Sequence, residues 1–583
     1  MFMRNGELIG KKFVQYLLST ILMSMALSLG TIVDGIMASN FLGTDALGAI
    51  NTCQPIILIF GAIYSIFGAG GSTLAATALG SGNKKKADQY FTMAISLLVL
   101  FGLLIVVIGT VFMDQMIALT TSGSSLGGLA KDYLSVFVFG AVLFFVVPGF
   151  SFFIRTDGRP TLAAIVLVVA NVVNLICDAV YMKVFDMGVR GAALATLTGY
   201  FVGLFVTVPY IKSKSRSLHF DFKSLSFSAF TEIFICGLPN AFNSVLMTVK
   251  MLVLNRTAID ILGDNGASAV AICNNCLSFA SIFIGGSAQT MLPIIGVLYG
   301  ENDRRGMIAA VKKALQVVIG AGILMIIVFE IFPRQVALLF NVKTDELMNI
   351  AIMAIRLFGL SLPFFAVVYV FISFYQASAK RGFAIAITLC EGLVFIVPLI
   401  LVLSRLFTKN GIGIWLTFVI NEVCVLLMIF IVGNIIKSKT NKDNILLLDS
   451  EIQKSLDISI KAEVNNATIL SEKVCTFCEE NGVDKSRANA AGLAVEEMTV
   501  NIITYGYKMK KNENIDIIVR INGDEIIIRI RDNGIPFNPF EYIPDKDMKE
   551  IESNIGGIAI LKKIARSAEY SRALGFNNLI IKV

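Results

Sequence analysis

Four polar residues lie within long apolar stretches of the first 200 residues, where polar side chains are rare and usually functional. They are Asp34, Asn174, Asp178 and Thr196. Asn174 and Asp178 are four positions apart, so on a helix they share one face. Two carboxylates with an amide and a hydroxyl form an oxygen-rich set that suits Na⁺ or a proton. The pattern therefore predicts a site for a monovalent cation inside the apolar region.

Each of these residues also has a structural interpretation. Asp34 could cap a helix end near the membrane surface, and Asn174 could form a hydrogen bond between helices. Thr196 could bond to its own helix backbone, a role at least as common for threonine as ligand binding. For Asp178 the functional interpretation is favoured, because an unpaired carboxylate in lipid is costly.

A second group of residues near the carboxyl end could bind a nucleotide. Glu497 and Asn501 are spaced i, i+4, so an Asn501 oxygen could hold Mg²⁺ while Glu497 acts as a base or orients water. Asp532 opens the sequence Asp-Asn-Gly534 after an apolar strand, and an aspartate there can accept a hydrogen bond from an adenine amino group. Gly556 and Gly557 precede a predicted helix whose first N–H groups suit phosphate.

Composition divides the chain into two parts. The 583 residues have a mean hydropathy of +0.76 and are 56% hydrophobic and 16% charged. Residues 1–440 hold 30 Lys/Arg and 20 Asp/Glu, about 11% charged, whereas 441–583 hold 19 and 22, about 29%. A membrane body followed by an ordinary soluble domain explains both values, and a purely soluble enzyme or a disordered chain is excluded.

The membrane body contains twelve apolar stretches of about 20 residues, the length that crosses a bilayer. With the amino terminus inside, the inside connections hold 21 Lys/Arg and the outside ones 8, so both termini are expected to be cytoplasmic. The predicted divisions are a first lobe, an inter-lobe loop, a second lobe, a linker and a soluble tail, at 1–211, 212–228, 229–436, 437–449 and 450–583.

The membrane body repeats itself. The motif at Leu79 returns at Leu298, 219 positions later, and the glycine pattern at Gly188 returns at Gly411, 223 positions later. Six helices repeated in the same orientation predict two lobes related by an axis along the membrane normal, an architecture of transporters that hold substrate between lobes.

The tail predicts a two-layer α/β sandwich, with helices on one face of an open sheet. Strands are expected around 458–460, at 516–521 and 525–531, and on both sides of 575–578. Helices are expected at 463–481, 485–505 and 556–568.

Residues 12–436 resemble the multidrug and toxic compound extrusion (MATE) family. The resemblance is carried by the segments 34–43 (DGIMASNFLG), 68–82, 174–178 and 188–196 (GVRGAALAT). It implies an all-α fold of two six-helix lobes that rock between inward- and outward-open states. It also implies that Asp34, Asn174, Asp178 and Thr196 bind the coupling cation.

The second lobe departs from that family at one position. Met247 stands where part of the family carries a glutamate, and Lys250 follows in the same apolar helix. Glu391 and Glu422 are the other charged residues at membrane depth in this lobe, so a Lys250–Glu391 or a Lys250–Glu422 pair is expected.

Residues 450–583 resemble the ATP-binding fold of gyrase, Hsp90, histidine kinases and MutL, and within it the anti-sigma-factor serine kinases. The segment 494–507 (AVEEMTVNIITYGY) matches the asparagine-containing box of that branch. The resemblance implies Mg-ATP binding, with Asn501 on the metal, Asp532 on adenine, and Gly556 and Gly557 at the phosphates. Gly534 is expected among the nucleotide-binding residues. Histidine autokinase activity is excluded, because the only histidine, His219, lies in the inter-lobe loop.

These features together predict a cation-coupled (Na⁺ or H⁺) exporter of organic, cationic or amphipathic compounds in a bacterial-type inner membrane. Its tail would bind ATP as a regulator or as a serine/threonine kinase acting on a cytoplasmic protein partner, with Glu497 as the catalytic residue. No nucleic acid is expected as a partner. The alternatives are a signalling receptor whose transporter-like body senses a ligand and whose tail is the output, or a flippase for a lipid-linked substrate.

Overall fold

The computed structural model consists of a helical body and a small sheet domain. It describes residues 6–42, 44–121, 127–213, 216–340, 342, 344–440, 442, 445–448, 454–510, 512–539 and 562–583.

The first lobe is built from long apolar helices connected by short turns. Its helices are α1 (Glu7–Leu42), α2 (Thr44–Gly80), α3 (Lys84–Val111), α4 (Met113–Thr121), α5 (Gly127–Phe139), α6 (Ala141–Thr156), α7 (Pro160–Asp178) and α8 (Gly188–Lys212). A π-helical turn, Ala179–Val184, follows α7. Such π turns recur at functional sites in helices.

The second lobe has the same order of long and short helices. They are α9 (Phe227–Leu262), α10 (Asp264–Gly300), α11 (Arg304–Ile331), α12 (Pro333–Leu339), α13 (Asp345–Ala377), α14 (Arg381–Leu389), α15 (Ile396–Leu406) and α16 (Ile412–Thr440). A π-helical turn, Cys390–Val394, joins α14 to α15.

Helix lengths confirm the internal repeat. α1 and α9 each have 36 residues, α2 and α10 each have 37, and α3 and α11 each have 28. Within each of these pairs the second helix begins 220 positions after the first. The start of α3 is capped by the Asn83 side chain and the start of α11 by that of Asp303, each satisfying a free backbone N–H.

Nine helices in the described part of the chain are long and apolar enough to cross a membrane. α5 and α6, bent by 56°, make a tenth span when they are taken together. The twelve predicted spans therefore stay a prediction. α1 and α9 are the two long lobe helices outside that count.

The two lobes pack closely at one end, here called the tail side, which is formed by the connections 80–84, 156–160 and 300–304. A Cβ built on Gly80 would lie 2.0 Å from the Val297 carbonyl oxygen, and one on Gly300 would lie 1.9 Å from the Thr77 carbonyl oxygen. α2 and α10 can approach this closely only because these residues lack side chains.

The tail is a five-stranded antiparallel sheet with two helices on one face. Its elements are β1 (Ser455–Lys461), α17 (Asn465–Glu480), α18 (Lys485–Asn501), β2 (Asn514–Asn522), β3 (Glu525–Asp532), β4 (Ser567–Ala573) and β5 (Phe576–Lys582), with strand order β1-β2-β3-β5-β4. The predicted helix to residue 568 is wrong at its end, since β4 begins at Ser567.

Side chains alternate across the sheet, as strand geometry requires. On β3, Ile526, Ile528 and Ile530 join the core under the helices. Arg529 and Arg531 point to the opposite face, which packs against the tail side of the helical body.

Gly199 tests the close packing of α7 on α8. A Cβ at this position would lie 2.2 Å from the Ala170 carbonyl oxygen, so Gly199→Ala should destabilise the protein by about 1–3 kcal/mol through overpacking. Gly320 is the matched control, because nothing lies within 4 Å of its Cβ position. Gly320→Ala should be neutral or stabilising by about 0.5–1 kcal/mol. Thermal unfolding of both variants in detergent measures the difference, and equal midpoints would contradict the packing argument.

Candidate functional site

The four polar residues predicted in the first lobe lie together between α1, α7 and α8. The Asp34 and Asp178 carboxyls lie beside each other, close enough to interact directly. The Asn174 amide donates to Asp178 Oδ2 at 3.2 Å and to Thr196 Oγ1 at 3.4 Å. α1 and the consecutive helices α7 and α8 therefore supply one oxygen-rich cluster.

This cluster is incompletely satisfied by the protein. Asp178 is fully buried, and the Oδ1 atoms of Asp34 and Asp178 have no hydrogen-bond partner among the described residues. Two ionised carboxylates in contact repel each other, so a proton or a cation between them is needed to stabilise the pair. The donor set is suited to either.

A cavity adjoins the cluster. Asp34, Asn174 and Thr196 line it, together with residues that the sequence analysis missed: Gln54, Tyr133, Asn171 and Tyr200. Asn171 could have been found, because it lies three residues before Asn174 on the same helix face. The others carry no local pattern that marks them.

In the second lobe the structure selects one of the two expected ion pairs. Lys250 Nζ donates to Glu391 Oε1 at 2.7 Å, and Glu391 lies in the π-helical turn between α14 and α15. Glu422 lies nearby and accepts a hydrogen bond at 3.0 Å from the Asn421 amide.

In the tail, the loop after β3 is tied to the end of α18. Asn501 is the last residue of α18 and is buried, with Glu497 half-buried one turn earlier. The backbone N–H of Ile535 donates to the Gly506 carbonyl oxygen at 3.0 Å. A Cβ on Gly534 would lie 2.8 Å from that same oxygen, so the close approach requires glycine. The candidate metal residue and the candidate adenine residue therefore belong to adjoining segments.

Asp532 ends β3 and is buried. Its Oδ1 accepts hydrogen bonds from the Asn577 amide and the Gly534 N–H, both at 2.8 Å. Burial raises the pKa of Asp532 to about 6, although both hydrogen bonds oppose the shift. Asn577 was missed by the sequence analysis, which had no signal for it. Gly556 and Gly557 lie outside the described residues.

A buried ion-pair cluster joins the tail to the second lobe. The Arg531 guanidinium, 1% exposed, is paired with the Glu301 carboxylate and with Asp303 Oδ2, the latter at 2.9 Å. Arg529 and Arg520 donate to the Glu301 and Asn302 carbonyl oxygens, each at 2.7 Å. Asp303 also caps α11, so the docking contact is part of the helix start.

The first lobe contacts the same sheet. Ser217 Oγ donates to the Arg572 carbonyl oxygen at 2.9 Å, and the Glu7 carboxylate accepts from the Asn514 amide at 2.9 Å. A Cβ on Gly158 would lie 2.3 Å from the Gly575 nitrogen in the β4–β5 turn. The tail thus contacts both lobes at the tail side.

Comparison with known proteins identifies two regions. The MatE family model matches residues 19–180 and 239–402, and the Histidine kinase-like ATPase domain model matches residues 460–582. The Multidrug export protein MepA of Staphylococcus haemolyticus is 26% identical over 440 residues, covering 73% of this chain and 94% of that protein. MepA of a Staphylococcus aureus strain is 26% identical over 424 residues, covering 70% and 92%.

Solved structures share the fold of the helical body. An "Outward-facing conformation of a multidrug resistance MATE family transporter of the MOP superfamily" superposes with a TM-score of 0.70 at 21% identity, covering 76% of this chain and all of that one. A mutant of the Vibrio cholerae MATE transporter VcmN gives a TM-score of 0.69 at 19% identity, covering 76% and 99%. At these identities the likeness shows the fold alone.

Arg531→Met should undock the tail. The substitution leaves Glu301 and Asp303 without their guanidinium, and breaking a buried ion pair in this way costs about 3–5 kcal/mol. Hydrogen–deuterium exchange of β3 in the purified full chain should therefore become faster, because β3 carries the docked Arg529 and Arg531. Lys582→Met is the control, because its pair with Glu525 is surface-exposed and worth at most about 1 kcal/mol. Equal exchange rates for wild type and Arg531→Met would contradict the docking role.

Proposed function

Since the chain belongs to the MatE family, we propose that it is an integral membrane transporter that exports organic, cationic or amphipathic compounds in exchange for Na⁺ or H⁺. The observation that carries this proposal is the first-lobe cluster, where Asp34 and Asp178 meet with buried oxygens that lack protein partners. The Multidrug export protein MepA is similar to this chain over 94% of its own length, which supports the same substrate class.

The proposed transport cycle is an exchange between two lobe arrangements. A cation bound at Asp34 and Asp178 favours one arrangement, and its release favours the other, because each ligand shifts the equilibrium toward the state it binds more tightly. The close contacts Gly80–Val297 and Gly300–Thr77 keep the tail side closed in this structure. We assign the tail side to the cytoplasm, in agreement with the excess of Lys/Arg in the connections on that side.

We further propose that α1 and α9 complete twelve spans, six in each lobe. Both are 36 residues long, and at about 1.5 Å per residue each exceeds the thickness of a bilayer core. Both occupy the first position of their repeat, so the same role in each lobe is expected.

Asp178→Asn tests the coupling site. Replacing the carboxylate by an amide removes a charge from the cation set, so cation-driven ethidium efflux from proteoliposomes should fall by about tenfold or more. Asp186→Asn is the matched control, because Asp186 is exposed and has a positive φ that asparagine also tolerates. That variant should keep the wild-type rate. Undiminished efflux by Asp178→Asn would contradict the assignment.

The tail is proposed to bind Mg-ATP and to regulate transport. Asn501 would hold the metal, Asp532 and Gly534 would contact adenine, Gly556 and Gly557 would contact the phosphates, and Glu497 would orient water or a hydroxyl. Regulation is favoured over a separate kinase output because the sheet face opposite the helices is docked on both lobes. A partner protein would find that face covered.

The proposed regulation acts through adjacent residues. A domain tied to both lobes opposes their relative movement, so the docked tail restrains transport. Arg531, which holds the second lobe, directly precedes Asp532, the proposed adenine contact. Nucleotide binding at Asp532 would therefore displace the end of β3 and weaken the ion pairs that Arg531 forms with the second lobe.

The pH dependence of nucleotide binding tests the Asp532 assignment. Its carboxyl ionises near pH 6, and the ionised form accepts the adenine amino group. Affinity should therefore be constant above about pH 6 and fall as the pH drops below it. Binding of a fluorescent ATP analogue with Mg²⁺ to the full chain measures this, and Asp532→Asn should abolish the pH dependence together with most of the affinity.

Two further variants complete this test. Asn501→Ala should lose the dependence on Mg²⁺, because it removes the proposed metal ligand. Asp524→Asn is the control, since this side chain is 98% exposed in the β2–β3 turn and should bind as wild type. Equal binding by wild type, Asn501→Ala and Asp532→Asn would contradict the nucleotide site.

A further inference from the structure

The second lobe contains a buried charge cluster that the coupling site does not use. We propose that Glu422 is the anionic anchor of a binding site for organic monocations in the cavity of this lobe. The inference rests on the proposed export of organic cations and deepens it, because it names the residue that recognises their charge.

Lys250, Glu391 and Glu422 form this cluster, and they lie on the second-lobe helices that correspond to the helices of the first-lobe site. Allowing for repeat offsets of 220, 221 and 223 positions along the lobe, Lys250, Glu391 and Glu422 correspond to Gly30, Ala170 and Gly199. These positions lie three or four residues, about one helical turn, from Asp34, Asn174 and Thr196. On each helix the displacement is toward the tail side.

Packing supports this correspondence. In the first lobe, a Cβ on Gly199 would lie 2.2 Å from the Ala170 carbonyl oxygen, so these residues mark the crossing of α7 and α8. In the second lobe, the Asn421 amide donates to the Glu391 carbonyl oxygen at 3.2 Å and to the Glu422 carboxylate at 3.0 Å. The same crossing is therefore filled by small residues in one lobe and by charged residues in the other.

The charges of the cluster do not balance. Lys250 pairs with Glu391 at 2.7 Å, which uses the only lysine of the cluster. Glu422 is 4% exposed, and its Oε2 has no hydrogen-bond partner among the described residues. With Glu422 ionised, the cluster carries one net negative charge in a buried, lipid-embedded position, where an unpartnered carboxylate is costly. A positively charged ligand would neutralise it.

Two overlapping apolar pockets adjoin the charge cluster. Both are lined by Lys250, and Glu422 lines one of them. The walls are formed by flexible thioethers and aromatic rings, which suit apolar and cationic groups: Met247, Met251, Phe358, Phe365 and Phe418.

The two lobe cavities therefore differ in chemistry. The first-lobe cavity offers carboxyl, amide and hydroxyl oxygens around a carboxylate pair, a set suited to an inorganic cation. The second-lobe cavity places a carboxylate against sulfur and aromatic surface. A large, weakly hydrated organic cation gains more from such a surface than a small, strongly hydrated ion does.

The test measures binding of tetraphenylphosphonium to the purified full chain in detergent by isothermal titration calorimetry. Glu422→Gln keeps the shape and removes the charge, so affinity should fall by about tenfold or more. Glu330→Gln is the matched control in the same lobe, because this carboxylate is half-exposed and paired with Arg356. It should bind as wild type. Wild-type affinity in Glu422→Gln, or no binding by the wild type, would overturn the proposal.

A second variant keeps the proposal testable if Glu422→Gln does not fold. Lys250→Met removes the positive partner of Glu391 and leaves two carboxylates in the cavity. It should therefore gain affinity for the dication decamethonium by about tenfold relative to wild type. No gain would overturn the proposal, because the charge of the cavity would then have no effect on the affinity for the ligand.

Flux measurements separate this inference from the proposed transport function. If wild type binds tetraphenylphosphonium through Glu422 but shows no cation-driven flux, the export function fails and the site stands. If flux occurs and Glu422→Gln binds and transports as wild type, the export function stands and the site is overturned.

Discussion

Burying an ionised group away from water costs several kcal/mol unless another group neutralises it, and this constraint governs the three important places of the structure. In the first lobe, the carboxyls of Asp34 and Asp178 lie beside each other, and one oxygen of each has no hydrogen-bond partner among the described residues. In the second lobe, Glu422 lies beside an ion pair that is already balanced. At the tail side, Arg531 is buried between the second lobe and the sheet. At each place, separate elements of the fold meet.

The internal repeat explains why two of these places are alike and not identical. Duplicated helices of equal length bring the same three helices of each lobe together at a crossing. The first lobe fills the crossing with small residues and carries its polar groups one turn away, around Asp178. The second lobe carries charges at the crossing itself, at Glu391 and Glu422. The proposed site for an inorganic cation and the proposed site for an organic cation would thus use the same scaffold in the two lobes.

Local patterns in the sequence predicted the parts of the molecule that depend on local chemistry. The repeat, the strand hairpin at 522–524 and the meeting of Asn174 with Asp178 follow from spacing and hydropathy. Docking of the tail did not follow, because Arg531 and Glu301 are 230 positions apart and each is an ordinary surface residue by its neighbours. The strand before 575–578 was also predicted, but the preceding helix was extended to 568, two residues into β4, because pairing with β5 overrides the local pattern at Ser567.

The most direct test of the account is whether nucleotide in the tail controls transport through Arg531. Ethidium efflux driven by a cation gradient would be measured in proteoliposomes with and without Mg-ATP on the tail side. The account predicts that ATP accelerates efflux by wild type, whereas Arg531→Met is fast in both conditions and does not respond. Wild-type rates that do not change when ATP binds, or an unaltered ATP response in Arg531→Met, would contradict it.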